Sequence, residues 1–373
     1  MDATRTLQGG RPGGGQCSRG ARGRWRWPRG ASRRCAAAVG QRAPGARVTR
    51  GYVARLALAA AASALVTAYG TLSVVGALAL TRPARLPTDC DAAGPARNAE
   101  RVTFLSRSDG ITLDGWLLAP RRETPRRPAV IMVHGLGTDR RHELGGRLLE
   151  VGEHLAGRGH PVLLFDLRGA GCSGGARHTL GAKEAGDVGG AIDFLAGRGL
   201  TQQGVALIGY SMGAAASLLL APSEPRVRAV VADSAYAELG SILDAQLPRV
   251  SGLHPVFTPG LVLAAWPLLG VNAYRVRPVD GMARLAERGA ALLVIHGEAD
   301  RWVPAAHGRR LAATYGPQAE TYFVPGAGHA GSYWADPAAY LARVAGFLAR
   351  FKARGSRFKA GGRGPKVTVR RAD

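Results

Sequence analysis

Six short apolar runs recur along the chain: "AVIMVHG" from 129, "PVLLFD" from 161, "GVALIGY" from 204, "VRAVVADS" from 227, "ALLVIHGE" from 291 and "TYFVPG" from 321. Each has the length of a strand and is nearly continuous in its apolar character, so both of its faces must be buried. Stretches of helical length and period lie between most of them, at 140–157, 183–197, 212–221, 304–315 and 336–350. Buried strands alternating with helices predict a mostly parallel sheet covered by helices on both faces. "VTFLS" and "ITLDGWLLAP", joined across Ser108-Asp109-Gly110, add an opening hairpin. In a sheet of this kind, ligand chemistry collects past the carboxyl ends of the strands.

The 373 residues suffice for one large α/β domain with appendages. The net charge of +24 belongs mostly to the two ends. Residues 1–55 carry 13 Arg against one Asp and residues 350–373 carry nine Lys or Arg against one Asp, which leaves about +4 for everything between. That value is ordinary for a folded domain. The first 55 residues are a Gly- and Arg-rich tail without apolar periodicity, which predicts disorder. Trp25 and Trp27 among arginines are compatible with base stacking or a lipid interface, but no specific nucleic-acid partner is expected. No Met occurs between Met1 and Met132, which leaves open a non-Met start near Val48 or Val53. Residues 351–373 form a second basic tail.

Leu56 to Leu80, "LALAAAASALVTAYGTLSVVGALAL", has 25 residues without a charge between Arg55 and Arg82. At ~1.5 Å per residue it is long enough to cross a ~30 Å hydrocarbon core. A single transmembrane anchor is expected over 56–80, with a cleaved signal ("ALA" at 77–79 has the form of a cleavage site) and a buried helix as alternatives. The arginine excess on its amino-terminal side predicts an extracytoplasmic catalytic domain. If residues 56–80 only tether the domain, removal of residues 1–85 should leave turnover of a small soluble ester nearly unchanged. Of the four cysteines, Cys17 and Cys35 fall in the tail and Cys90 and Cys172 beyond the span. No closely spaced pair points to zinc, no metal or cofactor is expected, and free thiols are the expectation.

Gly209-Tyr210-Ser211-Met212-Gly213 has the G-x-S-x-G form, and so does Gly171-Cys172-Ser173-Gly174-Gly175. Context separates them. Ser211 directly follows the run "GVALIGY" and precedes "MGAAASLLLA", so it sits on a strand-to-helix turn that Gly209 and Gly213 allow to be tight. Ser173 lies in a glycine-rich loop with no helix directly after it, and is the expected decoy. A serine needs a base and a group to orient that base. Asp300, past "ALLVIHG", and His329, in a glycine-rich loop past "TYFV", supply them in the order Ser, acid, His. His307 lies in a helical stretch and is the poorer base.

The blocks "HGLG" (134–137), "DLRGAGCSGG" (166–175), "GYSMG" (209–213), "HGEADRWVP" (296–304) and "GAGH" (326–329), in this order, resemble the α/β-hydrolases, in the broad serine aminopeptidase, esterase and lipase-like group. The resemblance covers about residues 100–350. It implies the α/β-hydrolase fold, a catalytic triad of Ser211, Asp300 and His329, and an oxyanion hole formed by the backbone N–H groups of Leu136 and Met212. It also offers a second position for the acid, Asp233 in "VVADSAY", with Asp300 the favoured one. Residues from about 235 to 289 stand where the family often carries a cap. There "LHPVFTPGLVLAAWPLLGVNAY" is apolar but broken by three prolines, which argues for a lid over an acyl pocket rather than a second span. The expectation is a serine hydrolase cleaving an ester, thioester or amide of a small-molecule, lipid or peptide acyl donor. The alternatives are a non-catalytic binding protein of the same fold or, more weakly, a nucleic-acid binder acting through its tails. The sequence leaves the oligomeric state open.

Overall fold

The computed structural model describes residues 50–82, 85–90, 99–120 and 127–350. The two tails expected at 1–55 and 351–373 therefore fall outside the described residues, apart from residues 50–55. The chain divides into two units, residues 1–60 and 61–373. The first is described only over 50–60, where it is helical.

One helix, α1 (Arg50–Leu80), covers the apolar stretch and begins six residues ahead of it. It is long and apolar enough to cross a membrane. A hairpin of β1 (Ala99–Leu105) and β2 (Thr112–Leu118) opens the sheet. There follow β3 (Ala129–Val133), α2 (Leu148–Ala156), β4 (Val162–Phe165), α3 (Glu184–Gly197), β5 (Val205–Tyr210), α4 (Met212–Leu220) and β6 (Val227–Asp233). A helical insertion carries α5 (Leu239–Ser251), α6 (Thr258–Leu269) and α7 (Met282–Glu287) before β7 (Ala291–Gly297). The chain then runs through α8 (Ala305–Tyr315), β8 (Glu320–Val324), α9 (Ser332–Ala335) and α10 (Pro337–Ala349).

The eight strands order as β1-β2-β4-β3-β5-β6-β7-β8. The first two are antiparallel to their neighbours, and β4 through β8 run parallel. The sheet explains the apolar runs. On β3, Ile131 and Val133 face a core shared with α3, α4 and α8, whereas Val130 and Met132 face one shared with α2 and α10. Consecutive side chains point to opposite faces, and with both faces covered every position of β3 is apolar.

The apolar segment after α5 forms a single turn at Pro255–Phe257 and then α6, whose 12 residues rise only ~18 Å at ~1.5 Å each. The insertion packs through Tyr236, Leu239 and Val276 onto Ala215 of α4, over the carboxyl end of the sheet.

One expectation needs correction. Cys90 and Cys172 are not free thiols: they form a disulfide with Cα atoms 5.6 Å apart, although 82 residues separate them. The turn at Cys172 is tied to Asp166 by its N–H, and residues 85–90, which belong to no helix or strand, run past it. α1 and the residues after it also contact the rest of the domain. Tyr69 stacks on Phe257 with ring centroids 5.1 Å apart, and its hydroxyl donates to the Val256 carbonyl. Farther along, Arg177 donates to the Thr81 hydroxyl at 2.6 Å, and Arg85 donates to the carbonyls of Gly171 and Gly175.

Candidate active site

Between β5 and α4 there is room for a single residue, Ser211. It takes φ 50° and ψ −114°, a region that side chains with a Cβ rarely occupy. Its N–H donates to the Asp233 carbonyl at 2.8 Å, and its own carbonyl accepts from Ala215 N–H at 3.0 Å. The turn is crowded. A Cβ on Gly209 would lie 2.5 Å from the Ala214 backbone and one on Gly213 2.3 Å from the Val133 carbonyl oxygen, so neither position has space for a side chain. These two glycines let α4 start against β3 and leave the serine hydroxyl at the amino end of a helix, where negative charge is favoured.

His329 lies in the loop between β8 and α9, half-buried, and Asp300 in the turn after β7, its side chain fully buried. His329 Nε2 is 2.8 Å from Ser211 Oγ, and His329 Nδ1 is 2.8 Å from Asp300 Oδ2. The second contact requires a proton on Nδ1, because a carboxylate only accepts. Nε2 is then the lone-pair nitrogen, and it faces the serine hydroxyl.

Asp300 has further donors around it. Its Oδ1 accepts the N–H groups of Trp302 and Val303, each at 2.9 Å. Its Oδ2 also lies 3.3 Å from Nε2 of His296, a fully buried ring whose Nε2 is 2.7 Å from the Val303 carbonyl. Burial alone would raise the Asp300 pKa. Hydrogen bonds from His296, His329 and the Val303 amide outweigh it and hold the carboxyl well below the ordinary carboxylate range.

Asp233, the other acid considered, is fully buried and aims elsewhere. Its Oδ1 accepts from the Ser234 hydroxyl at 3.0 Å, and Ser234 Oγ accepts from Ala330 N–H at 3.0 Å. Asp233 thereby anchors the loop that carries His329. Burial pushes its carboxyl up to about 6, against the smaller opposing effects of Ser234 and neighbouring groups. His307 sits in α8, where its Nδ1 accepts from Ala237 N–H at 3.3 Å. Ser173 is buried, accepting from Asp114 N–H at 2.9 Å and donating to the Asp166 carbonyl at 2.5 Å. It latches the loop after β4 and has no base beside it.

Leu136 follows β3 in a turn that leaves it half exposed. Its N–H has no acceptor among the described residues. Met212 opens α4, and an N–H in the first turn of a helix lies ahead of the intrahelical ladder. The Leu136 loop is placed by a residue that the sequence reading missed. Glu143 is buried, accepts Gly135 N–H at 2.7 Å with Oε2, and its Oε1 is 3.3 Å from Leu144 N. The position was read as part of a helix over 140–157. The signal against that reading was Gly145-Gly146, and the chain there forms one tight turn with φ 53° at Leu144 and 59° at Gly145 before α2 begins.

The "DLRG" block proves to be scaffold. Asp166 and Asp114 both pair with the buried Arg140, and Arg168 is held by Asp187 and Asp109. Asp114, Asp166 and Cys172 come close enough together to hold a cation, but Arg140 already neutralises the two carboxylates and the sulfur belongs to the disulfide.

Comparison with known proteins places this geometry among relatives. The family model described as the alpha/beta hydrolase fold matches residues 128–265. An uncharacterized protein of Mycobacterium tuberculosis is 30% identical over 244 residues, which cover 64% of this chain and 77% of that protein. The thiohydrolase apmlB of Arthrinium phaeospermum is 34% identical over 137 residues, 36% of this chain and 42% of that one. Among solved structures, the esterase Pf2001 of Pyrococcus furiosus superposes with a TM-score of 0.58 at 22% identity, covering 72% of this chain and 97% of the esterase. At that identity the structural likeness speaks for the fold alone.

Proposed function

The chain belongs to the α/β-hydrolase family, and from that premise we propose that it is a serine hydrolase that cleaves a carboxylic ester, thioester or amide through an acyl-enzyme. The observation that carries the reading is the unbroken relay from Ser211 Oγ to His329 Nε2 and from His329 Nδ1 to Asp300 Oδ2, both links 2.8 Å.

In this reading Ser211 Oγ attacks the acyl carbon while His329 Nε2 takes its proton. The imidazolium that forms sits against Asp300, whose surroundings keep it ionised. Negative charge on the former carbonyl oxygen meets the N–H groups of Leu136 and Met212, which are fixed before the reaction starts. His329 then returns the proton to the leaving oxygen, sulfur or nitrogen as the carbon–heteroatom bond breaks. A water molecule, deprotonated by the same imidazole, attacks the acyl-enzyme, and Ser211 is regenerated with release of the acid.

The reading includes location. α1 holds the protein in a bilayer and the hydrolase domain lies on the extracytoplasmic side. The Cys90–Cys172 disulfide supports this side, because disulfides persist in oxidising compartments and are rare in the reducing cytosol. The insertion between β6 and β7 serves as the cap.

A fluorophosphonate probe tests the proposal, because only an activated serine attacks phosphorus readily at neutral pH. Labelling is expected once, at Ser211, and should persist in Ser173→Ala and vanish in Ser211→Ala. Undiminished labelling of Ser211→Ala would remove the assignment.

A further inference from the structure

The carboxyl-terminal half of α1 and the cap helix α6 pack closely together. Ser73 and Ala77 are buried, and Tyr69 and Gly76 partly so, forming one stripe of a helix whose other residues, Leu78 apart, are exposed. A Cβ on Gly76 would come 2.5 Å from Leu261, and one on Gly260 2.4 Å from Ser73 Oγ. Small residues at such a crossing let two helices approach closely, as they do within membranes. The outward face of α6 stays apolar, with Leu263 66% and Trp266 44% exposed, and no Asp, Glu, Lys or Arg occurs between Arg249 and Arg275.

Where the two helices end they frame a mostly apolar cavity of about 150 Å³, lined by Leu80 at the end of α1 and Thr81 after it, Leu269 of α6, Leu136 and Gly137 of the loop beside Ser211, Leu180 and the buried His178. A volume of about this size accepts a benzene-sized group of roughly six carbons. From Tyr69 to Leu80 α1 rises ~16 Å, about half of a ~30 Å hydrocarbon core. With Leu80 at the surface of a bilayer, α6 runs alongside α1 within one leaflet.

We infer that the acyl donor is an ester of a bilayer-resident lipid, whose chain reaches Ser211 along the α1–α6 pair and past Leu80, Leu269 and Leu136. This rests on the serine-hydrolase reading and on α1 lying in a membrane. The cavity is too short for a whole long chain, and each methylene drawn into water is penalised. A chain that enters beside two helices already in hydrocarbon leaves its distal carbons there. The portal is thus matched to a substrate that never leaves the bilayer.

The test uses the full-length protein in phosphatidylcholine vesicles containing a fluorogenic long-chain diacylglycerol ester, with a water-soluble butyrate ester and fluorophosphonate labelling measured in parallel. Lipid ester in the enzyme's own vesicles should be hydrolysed at least tenfold faster than the same ester offered in separate vesicles. The double variant L263K/W266K, at exposed positions that line neither the cavity nor the triad, should lose at least tenfold on the lipid ester while labelling at the parental rate. Equal rates for the two presentations, or hydrolysis of butyrate but not of lipid ester, would overturn the inference and leave the serine hydrolase standing. A dimer that the double variant abolishes without changing lipid turnover would show that the α6 face meets a second copy, and would overturn it too. Absence of labelling at Ser211 would instead fell the underlying reading. If the double variant does not fold, labelling will report it, and the comparison of vesicle presentations on the parent decides.

Discussion

Asp300→Asn isolates the orienting acid with almost no change of shape. Oδ1 accepts two backbone N–H groups, from Trp302 and Val303, so the amide oxygen must stay there and the NH₂ must take the place of Oδ2. That NH₂ then points its hydrogens at His329 Nδ1, 2.8 Å away in the parent. Two donors cannot share the contact, so His329 is driven to the tautomer that accepts at Nδ1 and carries its proton at Nε2, where Ser211 needs a base. Loss of the correct tautomer costs ~10⁴ in kcat in triads of this kind, or about 5 kcal/mol of transition-state stabilisation. KM should move little, because Asp300 touches no substrate. The assay is steady-state hydrolysis of a soluble short-chain ester, with the fluorophosphonate rate as a second readout and near-ultraviolet circular dichroism as a check on folding. Asp233→Asn should cost far less, because the Asp233 carboxylate bonds Ser234 rather than His329. A loss of less than tenfold in Asp300→Asn, with a thousandfold loss in Asp233→Asn, would refute the tautomer reasoning and move the acid to the end of β6.

Three further outcomes are expected. Asp233 has its pKa raised by burial to about 6 from an unfolded value of 3.8, so its contribution to stability is complete below 3.8 and is lost as the pH rises through 6. Denaturant titrations of Asp233→Asn and the parent should therefore diverge in the variant's favour by ~3 kcal/mol between pH 4 and pH 7, and a pH-independent difference would contradict the buried acid. Glu143→Ala leaves the buried N–H of Gly135 without its acceptor, at ~1–3 kcal/mol, and should lower kcat by roughly ten- to a hundredfold, with Glu143→Gln recovering most of it; equal losses in both would point to charge rather than loop placement. Deletion of residues 1–85 removes the Arg85 hydrogen bonds and the α1 face on α6, and should lower the melting temperature by roughly 5–10 °C in the same detergent, where an unchanged value would restore the simple tether.

The strands were legible because burial on both faces leaves an uninterrupted apolar run, and each run of the sequence became a strand within a residue or two. Ser211, Asp300 and His329 could be singled out because each stands just past a strand end, where a parallel sheet gathers its loops. Glu143 was not legible in the same way, since it acts through a turn that interrupts a helical pattern and through a partner eight residues away. His296 was quoted only as part of a block, because nothing local says that its ring will lie between Val303 and Asp300. The disulfide escaped for a plainer reason: it closes 82 residues, and such a pairing depends on where the chain passes, not on spacing.

The role of α1 was hidden by its composition. In water, a helix that packs on a protein declares the contact by an apolar stripe against a polar face. α1 is apolar all round, so a stripe of polarity does not exist to be read. Protein interior and hydrocarbon are alike in polarity, and what distinguishes the two sides of such a helix is size. Tyr69, Ser73, Gly76 and Ala77 recur at intervals of four, three and one, so they share one side, and the side chains there are small except for the tyrosine that stacks on Phe257. Val74 and Val75, 44% and 56% exposed, lie on other sides. Read by volume rather than by hydropathy, the helix has a packed face, and that face leads along α6 to the cavity lined by Leu80, Leu269 and Leu136.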